Sequence, residues 1–566
     1  MQYRLIDGST NDTRNVIDTI LQNRGVDPEE YLHLDESCVQ DYNDLCNIQE
    51  AVACFVKHYE AHDKIITMPD QDVDGQTSCA VLYNYIKSLD PNYPIEVVYH
   101  ERNKSHGLAD ADFTLPTDAK LFIIADAATN DVKECNALIN SGIDVICLDH
   151  HDEEPNDIKS KAIIVNNQMS PKYNNKELSG VGVTYRFCQA VDDELWENNA
   201  DNFLDLVGLG LIGDLMDMRS YETRYLTDKG LRKINNKLFQ ALLDAQEYST
   251  KGVISVHNMA FYIVPLINAL IRVGSLEERQ LMFRAFINDY EEFDYIKRDG
   301  TCVTETIYER VARLCKNAKS RQDNQKKKLY QQLLDEVNLD DKVCIIEVTD
   351  ESESLIGLSA NALANEIKRP VVIVKEVEQF GKTSLKGSIR NFSNSPIQDL
   401  KETLLESGVF TWIMGHSNAA GCSLPLGSID HAREVLNKQL QDVTYDSTFL
   451  CDFILDVNDM NIGLIQEIDG AKFLWCTGIK EPLVAVENVC VTQDDIHLKG
   501  AEFNTVSFTI NDIEYIQFSC KEGDPLYDFA MSDDDEAMFN IVGGCDINNF
   551  RGNYTPQIKI QGVIGV

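Results

Sequence analysis

From Lys64 onward, short apolar runs alternate with helical stretches, and this alternation restricts the fold of the 566-residue chain more than any other feature. The runs KIITMP, KLFIIA and IDVICL contain almost no polar residues, whereas TSCAVLYNYIKSL and DVKECNALINSG have helical periodicity. Apolar strands without polar alternation are typical of parallel sheets covered by helices on both faces. We therefore predict an α/β domain with a parallel sheet over residues 64–300.

The rest of the chain divides into four further segments by its residue pattern. Residues 1–63 have mainly helical periodicity, and residues 301–337 contain a long helical pattern without glycine or proline, which predicts a connecting helix. A second, smaller α/β domain is expected over residues 338–436, where apolar strands and helices alternate again. Short strands with alternating polarity over residues 437–566 predict an all-β module.

The overall composition excludes several classes of protein. The net charge of −41 excludes a basic protein that coats DNA, although a local basic patch remains compatible with nucleic-acid binding. The sixteen cysteines form no CxxC pair, which excludes a zinc ribbon and a dithiol redox site. No run approaches 18 uninterrupted apolar residues. We expect a soluble, cytoplasmic protein with reduced thiols and no membrane contact.

Acids and histidines follow several of the predicted elements at the point where each element ends. The sequence DQDVDG follows the strand KIITMP, Asp126 ends KLFIIA, Asp149-His150-His151 ends IDVICL, and Asp214 ends the apolar helix LDLVGLGLIG. Taken singly, each acid is more often a turn residue, and DxDxDG also occurs in calcium loops. Because parallel strands end at one edge of a sheet, about 5 Å apart, these side chains can converge. Carboxylates with imidazoles suit two Mn²⁺ or Mg²⁺ ions, the arrangement that promotes phosphoryl displacement.

The same residues resemble the motifs of the DHH phosphoesterase superfamily, namely DQDVDG, Asp126 and Asp149-His150-His151. The segments RNKSHGL, LSGVGVTYRF, VGLGLIGDLMDM and PLINALIRVGS extend the resemblance to its RecJ branch of single-stranded-DNA exonucleases. LIGLSANALANEIKRPVVIV, KGSIRN and GHSNAAG resemble the DHHA1 substrate-binding domain, and CDINNFRGNYTPQIKIQGV resembles the closing strands of the RecJ OB-fold. The resemblance covers roughly residues 50–566, and the ordered motifs are highly specific as a set.

The resemblance implies a role for each matched residue. Asp72 and Asp126 would bind one ion, and Asp126 would also bridge to a second ion, with Asp70 replacing or supporting a ligand. The remaining ligands of the second ion would be Asp74, His150 and Asp214. His151 would contact the phosphate as a catalytic donor, oriented by Asp149. The residues expected to bind substrate are Arg272, Arg390, Gly415, His416, Ala419, Ala420 and Gly421.

The sequence departs from the family pattern at three places. Met68 stands where many relatives have a metal-binding histidine, which predicts either one weaker ion site or compensation by Asp70. Ala127 and Ala128 follow Asp126 where the family usually has Asn-Gly, and Met414 precedes Gly415 in place of glycine. None of these changes removes a predicted carboxylate ligand. His106, within RNKSHGL, is interpreted as an ordinary surface or hydrogen-bonded histidine.

The expected function is that of a metal-dependent exonuclease on single-stranded DNA in repair or recombination. By resemblance it runs from the 5′ end and releases mononucleotides, and it acts as a monomer supplied by a single-strand-binding protein or a helicase. One alternative is a DHH enzyme that cleaves very short RNA or cyclic dinucleotides. Another is a catalytically silent DHH scaffold of replication or repair. No GxxxxGK[ST] motif is present, and Gly208, Gly210 and Gly213 lie within an apolar helix, so neither a P-loop nor a dinucleotide fingerprint is predicted.

Overall fold

A computed structural model of the protein describes residues 2–101, 106–111, 113–297, 299–349, 353–379, 382–392, 395–445, 448–500, 503–550 and 552–565. The first four residues of RNKSHGL and Arg551 of the predicted OB tail lie outside these described residues.

Strands and helices are numbered in chain order. The strands are β1 (Gln2–Leu5), β2 (Lys64–Met68), β3 (Ile95–Val97), β4 (Ala119–Ala125), β5 (Asp144–Asp149), β6 (Ile163–Asn166), β7 (Glu292–Ile296), β8 (Cys302–Thr306), β9 (Cys344–Glu347), β10 (Val371–Gln379), β11 (Lys382–Arg390), β12 (Trp412–His416), β13 (Ala419–Pro425), β14 (Thr448–Cys451), β15 (Phe453–Asp456), β16 (Leu483–Thr492), β17 (His497–Lys499), β18 (Thr505–Ile510), β19 (Ile513–Gln517), β20 (Glu536–Phe550) and β21 (Asn553–Gly565). The α-helices are α1 (Val16–Asn23), α2 (Pro28–Leu32), α3 (Ile48–Glu60), α4 (Val73–Leu89), α5 (Val132–Asn140), α6 (Gly180–Leu195), α7 (Leu204–Gly213), α8 (Tyr221–Leu231), α9 (Lys237–Ala245), α10 (Glu247–Thr250), α11 (Val256–Asn258), α12 (Val264–Val273), α13 (Leu276–Phe286), α14 (Ile307–Asp335), α15 (Glu353–Ile367), α16 (Leu400–Glu406), α17 (Ile429–Gln439), α18 (Ile462–Gly470) and α19 (Pro525–Ala530).

The chain forms two compact units. The larger unit contains residues 24–319 together with 470–481, and the smaller unit contains residues 1–23, 320–469 and 482–566. The chain passes from the larger to the smaller unit within α14, so the predicted long connecting helix is present.

The larger unit is built on a five-stranded sheet in which every strand pairs in parallel. Successive residues of β4 belong to different apolar clusters: Leu121 and Ile123 pack on one face of the sheet, and Phe122 and Ile124 pack on the other. Both faces are therefore buried, which explains why the strands are apolar without alternation. The predicted parallel-sheet α/β domain is confirmed.

The order of strands in this sheet is β3-β2-β4-β5-β6. After β2 the chain adds β3 on one side and then returns to place β4 on the other side. The carboxyl ends of β2 and β4 thus form a topological switch point, the position where open α/β sheets bind ligands. The sequence places DQDVDG directly after β2 and Asp126 directly after β4.

The smaller unit contains a second sheet with the order β12-β13-β11-β10-β9, in which only β9 and β10 pair in parallel. This sheet agrees with the predicted smaller α/β region, with one difference. MGHSNAAGCSL, whose glycines favour a turn by local pattern, forms most of the antiparallel hairpin β12–β13. Glycine lowers the strand propensity of this segment, but pairing with β11 outweighs that preference.

The C-terminal region forms a seven-stranded sheet with the order β15-β16-β20-β21-β19-β18-β17. The predicted all-β module is confirmed, although β20 and β21 are 15 and 13 residues long rather than short. The start of the chain differs from the helical prediction because β1 pairs in parallel with β14, with Gln2 opposite Thr448. Backbone hydrogen bonds to a strand more than 400 residues away override the local pattern.

The segment Val256–Val273 is long and apolar enough to cross a membrane by length and composition alone. Half of it is buried inside the protein, a property shared by the core helices of globular proteins. Among the described residues, no cysteine pair forms a disulfide.

Candidate metal centre

The loop after β2 leads directly into α4, and its acids occupy the first turn of that helix. Asp72 is the N-cap, where its Oδ1 accepts a hydrogen bond from the backbone N–H of Gly75 at 2.8 Å. Asp74 lies one residue inside the helix and is almost fully buried. A carboxylate is favoured at a helix N-terminus by the helix dipole and by the free N–H groups.

Asp74 also binds the N-terminus of a second helix. Its carboxylate accepts hydrogen bonds from the Ser179 hydroxyl at 2.8 Å, the Gly180 N–H at 2.6 Å and the Val181 N–H at 3.2 Å. These donors belong to LSGVGVTYRF, the start of α6. That segment therefore fixes the position of Asp74, a role that sequence analysis did not assign to it.

Asp126 occupies a strained backbone position at the end of β4. Its φ is +69°, and that of Ala128 is +80°, a region that residues other than glycine rarely adopt. The Asp126 N–H donates to the Leu148 carbonyl of β5 at 2.8 Å, which holds the turn against the sheet. Ala128 stands where the family pattern has glycine, so this chain carries more backbone strain there than the pattern requires.

His150 and Asp214 complete one side of the cluster. His150 Nε2 lies 3.3 Å from Asp126 Oδ1 and 3.4 Å from Asp214 Oδ2. Asp214 follows the last residue of α7, as the sequence predicted. Gly210 of that helix allows its close approach to α4, since a Cβ on Gly210 would lie 2.8 Å from Asp74 Oδ1. The GxGxxG pattern is thus a helix-packing feature.

Asp149 and His151 form a hydrogen-bonded pair beside this cluster. Asp149 Oδ1 lies 2.7 Å from His151 Nδ1 and accepts the His150 N–H at 2.7 Å, while Oδ2 accepts the Thr129 N–H at 2.9 Å. Burial raises the pKa of Asp149, but the hydrogen bond and the charge of His151 outweigh burial and lower it well below its usual value. Burial lowers the pKa of His151, but the hydrogen bond to Asp149 raises it to about 9. Both shifts favour a protonated His151 near neutral pH in the metal-free protein.

His106 lies at the edge of the same cluster as an exposed, hydrogen-bonded histidine, which agrees with its interpretation from the sequence. Its Nδ1 contacts Asp70 Oδ2, and its ring is 5.3 Å from the ring of His151. Attraction to Asp70 raises the pKa of His106 to about 10, which favours a cationic ring in the metal-free protein. His106 belongs to a long connection whose path cannot be predicted from sequence patterns.

Met68, which stands where many relatives have a metal-binding histidine, is fully buried among apolar side chains on one face of the sheet.

The carboxylates come together in two groups suited to metal ions. Candidate ligand atoms lie within 4.8 Å of one another in the group Asp70, Asp72 and Asp126 and in the group Asp74, His150 and Asp214. Within the described part of the chain, Asp126 Oδ1 and Asp214 Oδ2 are buried and accept no hydrogen bond, since the contacts of His150 Nε2 with them at 3.3 Å and 3.4 Å lack hydrogen-bond geometry. Buried carboxylate oxygens without donors are destabilising unless a cation compensates them.

The raised pKa values of the carboxyl groups in this cluster also indicate that a cation is needed to compensate their charges. Burial, followed by repulsion from Asp70 and Asp74, raises the pKa of Asp72 to about 6. Burial, followed by repulsion from Asp74 and Asp72, raises the pKa of Asp214 to about 8 and that of Asp126 well above its usual value. Hard oxygen ligands with one imidazole fit Mn²⁺ or Mg²⁺.

The predicted substrate-binding residues fall into two places. Arg272 of α12 is within the larger unit, where burial lowers its pKa and attraction to Asp72 opposes that effect. In the smaller unit, the strand register aligns Arg390 with Ala419 and Ala419 with His416. Gly415 has a φ of +125°, a conformation that favours glycine. The other predicted members are in β13, namely Ala420 and Gly421.

Gly357 of α15 lies within the motif LIGLSANALANEIKRPVVIV and packs against one of the predicted substrate-binding residues. A Cβ on Gly357 would lie 2.9 Å from Nη2 of Arg390, so this glycine leaves room for the guanidinium. Arg390 Nη1 donates to the Ile389 carbonyl at 2.7 Å. The sequence signal was present in the motif that contains Gly357, but only the packing shows its purpose.

Comparisons with known proteins agree with this architecture. Residues 64–211 match the DHH family, N-terminal domain, and residues 451–562 match the RecJ OB domain. The putative SPbeta prophage-derived single-strand DNA-specific exonuclease YorK of Bacillus subtilis is 37% identical over 99% of this chain and 97% of its own length. The single-stranded-DNA-specific exonuclease RecJ of the same organism is 24% identical over 96% of this chain and 67% of its own length.

Among solved structures, RecJ from Thermus thermophilus, in complex with Mn²⁺, matches with a TM-score of 0.76 at 18% identity. The match covers 100% of this chain and 80% of that chain, and it shows that the two share a fold. Together with the 37% identity to YorK over nearly the whole of both chains, it agrees with the motifs at the sheet edge. This chain therefore belongs to the RecJ-like family of the DHH superfamily.

Proposed function

We propose that this protein is a metal-dependent exonuclease that hydrolyses the phosphodiester bonds of single-stranded DNA. The observation that carries the proposal is the convergence of carboxylates and imidazoles at the switch point of the parallel sheet. The names of the relatives YorK and RecJ, both single-strand DNA-specific exonucleases, support the choice of substrate. The match of residues 451–562 to the RecJ OB domain supports binding of a single strand.

Two divalent ions, Mn²⁺ or Mg²⁺, fit the cluster. Asp72 and Asp126, supported by Asp70, would hold one ion. The second would be held by Asp74, Asp126, His150 and Asp214. When bound, such ions lower the pKa of a coordinated water and stabilise charge on the phosphate.

The protein's own residues orient the substrate and manage its charge. His151, cationic and held by Asp149, donates a hydrogen bond to a phosphate oxygen. Arg272 adds a second positive group on the Asp72 side of the cluster. His106 fixes the orientation of Asp70 through its Nδ1 contact and reduces the repulsion among the acids. Arg390, Gly415, His416, Ala419, Ala420 and Gly421 are proposed to bind the terminal nucleotide.

The direction of cleavage, its products, the oligomeric state, the location and the partners are inferred from resemblance to the RecJ branch. We propose that the enzyme runs from the 5′ end, releases mononucleotides, acts as a monomer in the cytoplasm and receives its strand from a single-strand-binding protein or a helicase. The domain boundaries at residues 63, 300, 337 and 436 also remain proposals. A cut at residue 436 would fall within α17 and expose Leu436, which is buried in the apolar core of the smaller unit.

The test compares wild type with Asp126→Asn on a panel of long single strands, duplexes, dinucleotides and cyclic dinucleotides with Mn²⁺. Wild type should prefer the long single strand, and the variant should lose at least about 100-fold in rate because one shared ligand is neutralised. The variant should also melt at a higher temperature without metal, since the Asp126 carboxyl, whose pKa is raised, must take up a proton or bear an uncompensated charge on folding and an amide does neither. A preference for dinucleotides would favour the short-substrate phosphodiesterase, and no cleavage of any substrate would favour the silent scaffold.

A further inference from the structure

A second cluster of ligand-type side chains lies at the opposite edge of the parallel sheet. Candidate ligand atoms of Cys54, His58 and Asp144 all lie within 4.8 Å of one another. Cys54 and His58 are four residues apart in α3 and so share one helix face. Asp144 is the first residue of β5, whereas Asp149 of the metal centre is its last. A six-residue strand spans roughly 17 Å, so the two clusters are separate.

The ring of His58 is oriented by a carboxylate on its other side. His58 Nδ1 lies 2.8 Å from Asp63 Oδ2, and Nε2 lies 2.9 Å from Asp144 Oδ2. A neutral imidazole has one N–H, so it cannot donate to both carboxylates. Either the ring is an imidazolium, or Nδ1–H donates to Asp63 and the Nε2 lone pair faces a cation. The second arrangement is the carboxylate–histidine–metal triad that is common in zinc proteins.

The surroundings fit a small, partly solvated site. His58 is 5% exposed, whereas Cys54 and Asp144 are half-buried, which leaves access for an ion and a water. Lys57 Nζ lies 2.8 Å from Asp144 Oδ2 and offsets part of the negative charge. A carboxylate has several acceptor positions, so this ion pair is compatible with coordination.

We propose that Cys54, His58 and Asp144 form a second metal site that is selective for Zn²⁺ and similar ions. Asp63 orients the His58 ring in this site. Sulfur, imidazole and carboxylate ligands together favour Zn²⁺, which takes three protein ligands and a water in tetrahedral geometry. The metal centre at the other edge has oxygen and imidazole ligands and favours harder ions. The new site joins α3 to β5, so its occupancy stabilises the larger unit without entering the reaction.

The test uses Co²⁺ as a spectroscopic substitute for Zn²⁺ on the full chain, with excess Mg²⁺ present to fill the metal centre. Only a thiolate ligand gives cobalt a sulfur charge-transfer band in the near ultraviolet. Wild type should show this band, Zn²⁺ should abolish it by displacement, and Asp126→Asn should retain it. Cys54→Ser should lose it, whereas the matched control Cys46→Ser, which changes an exposed cysteine, should keep it.

Two further variants distinguish coordination from a purely structural role. Asp63→Asn keeps all three ligands, so the band should persist while the Co²⁺ concentration needed rises by about 10- to 100-fold. Asp144→Asn should weaken binding without removing the thiolate. Retention of Mg²⁺-dependent exonuclease activity in Cys54→Ser checks that the variant is folded. Absence of the band in wild type, or its persistence in Cys54→Ser, would mean that His58 is only an imidazolium paired with two carboxylates.

Discussion

Gly180 lies so close to Asp126 that a Cβ added to the glycine would be 2.4 Å from the Cβ of the aspartate. The start of α6 thus packs directly against the residue that the account assigns to both ions. Gly182, two residues further along α6, is less restricted, because a Cβ on Gly182 would first meet the flexible Leu178 side chain, at 3.0 Å.

Gly180→Ala should therefore displace Asp126 and impair catalysis. We expect a loss of about 1–3 kcal/mol in the free energy of unfolding from overpacking, and at least about a tenfold loss of cleavage rate, since small displacements at a reacting centre have large effects. The matched variant Gly182→Ala should retain most activity. Thermal melts and cleavage rates of both variants make the comparison, and equal activity in the two would contradict the proposed role of Asp126.

Stabilisation by metal should depend on pH in a defined direction. Asp72 and Asp214 have folded pKa values raised to about 6 and about 8, so the metal-free folded state holds protons that the unfolded state releases. The metal-free protein should then lose stability as the pH rises through this range. Metal requires the ionised acids, so its stabilising effect should grow over the same range, reaching about 2.7 kcal/mol at a concentration 100 times the dissociation constant.

Melting temperatures from pH 5.5 to 8.5, with and without Mn²⁺, measure both trends. The Asp126→Asn variant is the control, since loss of one repulsive carboxylate should flatten the metal-free trend. A metal-induced shift that is the same at pH 6 and pH 8 would contradict the electrostatic account of the cluster.

His106 should act as a positioning residue for Asp70. His106→Ala should raise the Mn²⁺ concentration for half-maximal cleavage by about 10- to 100-fold, with the rate at saturating Mn²⁺ near that of wild type. His106→Gln should restore part of the affinity because an amide can still donate to Asp70. The exposed residue His62 provides the control, and His62→Ala should behave as wild type. Unchanged Mn²⁺ dependence in His106→Ala would remove this residue from the site.

Two exposed aromatic side chains near one end of the β18–β19 hairpin should contact single-stranded DNA. Phe503 is 62% exposed and Phe518 is 57% exposed, although both are large and apolar. Bases stacked on aromatic rings contribute about 1–3 kcal/mol each, so the double alanine variant should raise KM on long strands by tenfold or more. Its kcat and its activity on trinucleotides should change little, because stacking on these rings stabilises the bound ground state and the transition state equally. An equal loss on both substrate lengths would assign these rings a structural role.

The parallel sheet and its acidic edge were predictable because each depends on local pattern. Apolar strands without alternation indicate a sheet buried on both faces, and an acid after each strand must lie at the carboxyl edge. The strand order that makes β2 and β4 neighbours was not predictable from pattern, since it depends on where β3 pairs. The contact of His106 with Asp70 spans a 36-residue separation, and the segment after β3 that contains His106 has no periodicity from which its position could be predicted.

Other differences between the predicted and the observed fold also arise from contacts between residues far apart in the sequence. The pairing of β1 with β14 joins residues that are more than 400 positions apart in the sequence, such as Gln2 and Thr448. The glycines of β12–β13 indicate a turn locally, yet pairing with β11 holds them extended. The predicted metal-binding and substrate-binding residues were identified from the family resemblance as well as from their positions at the ends of strands and helices. Their roles in binding metal and substrate stay predictions.

The exonuclease assignment can be tested by digestion of one long DNA strand labelled at the 5′ end in one sample and at the 3′ end in another, with Mn²⁺ and with a chelator. The account predicts immediate release of labelled mononucleotide from the 5′-labelled strand and progressive shortening of the 3′-labelled strand. Release of the mononucleotide and shortening of the strand should both require the metal, and a duplex with blunt ends should resist cleavage. Metal-independent products, or no cleavage of the single strand by a folded and metal-loaded protein, would contradict the assignment of this chain as a single-strand exonuclease.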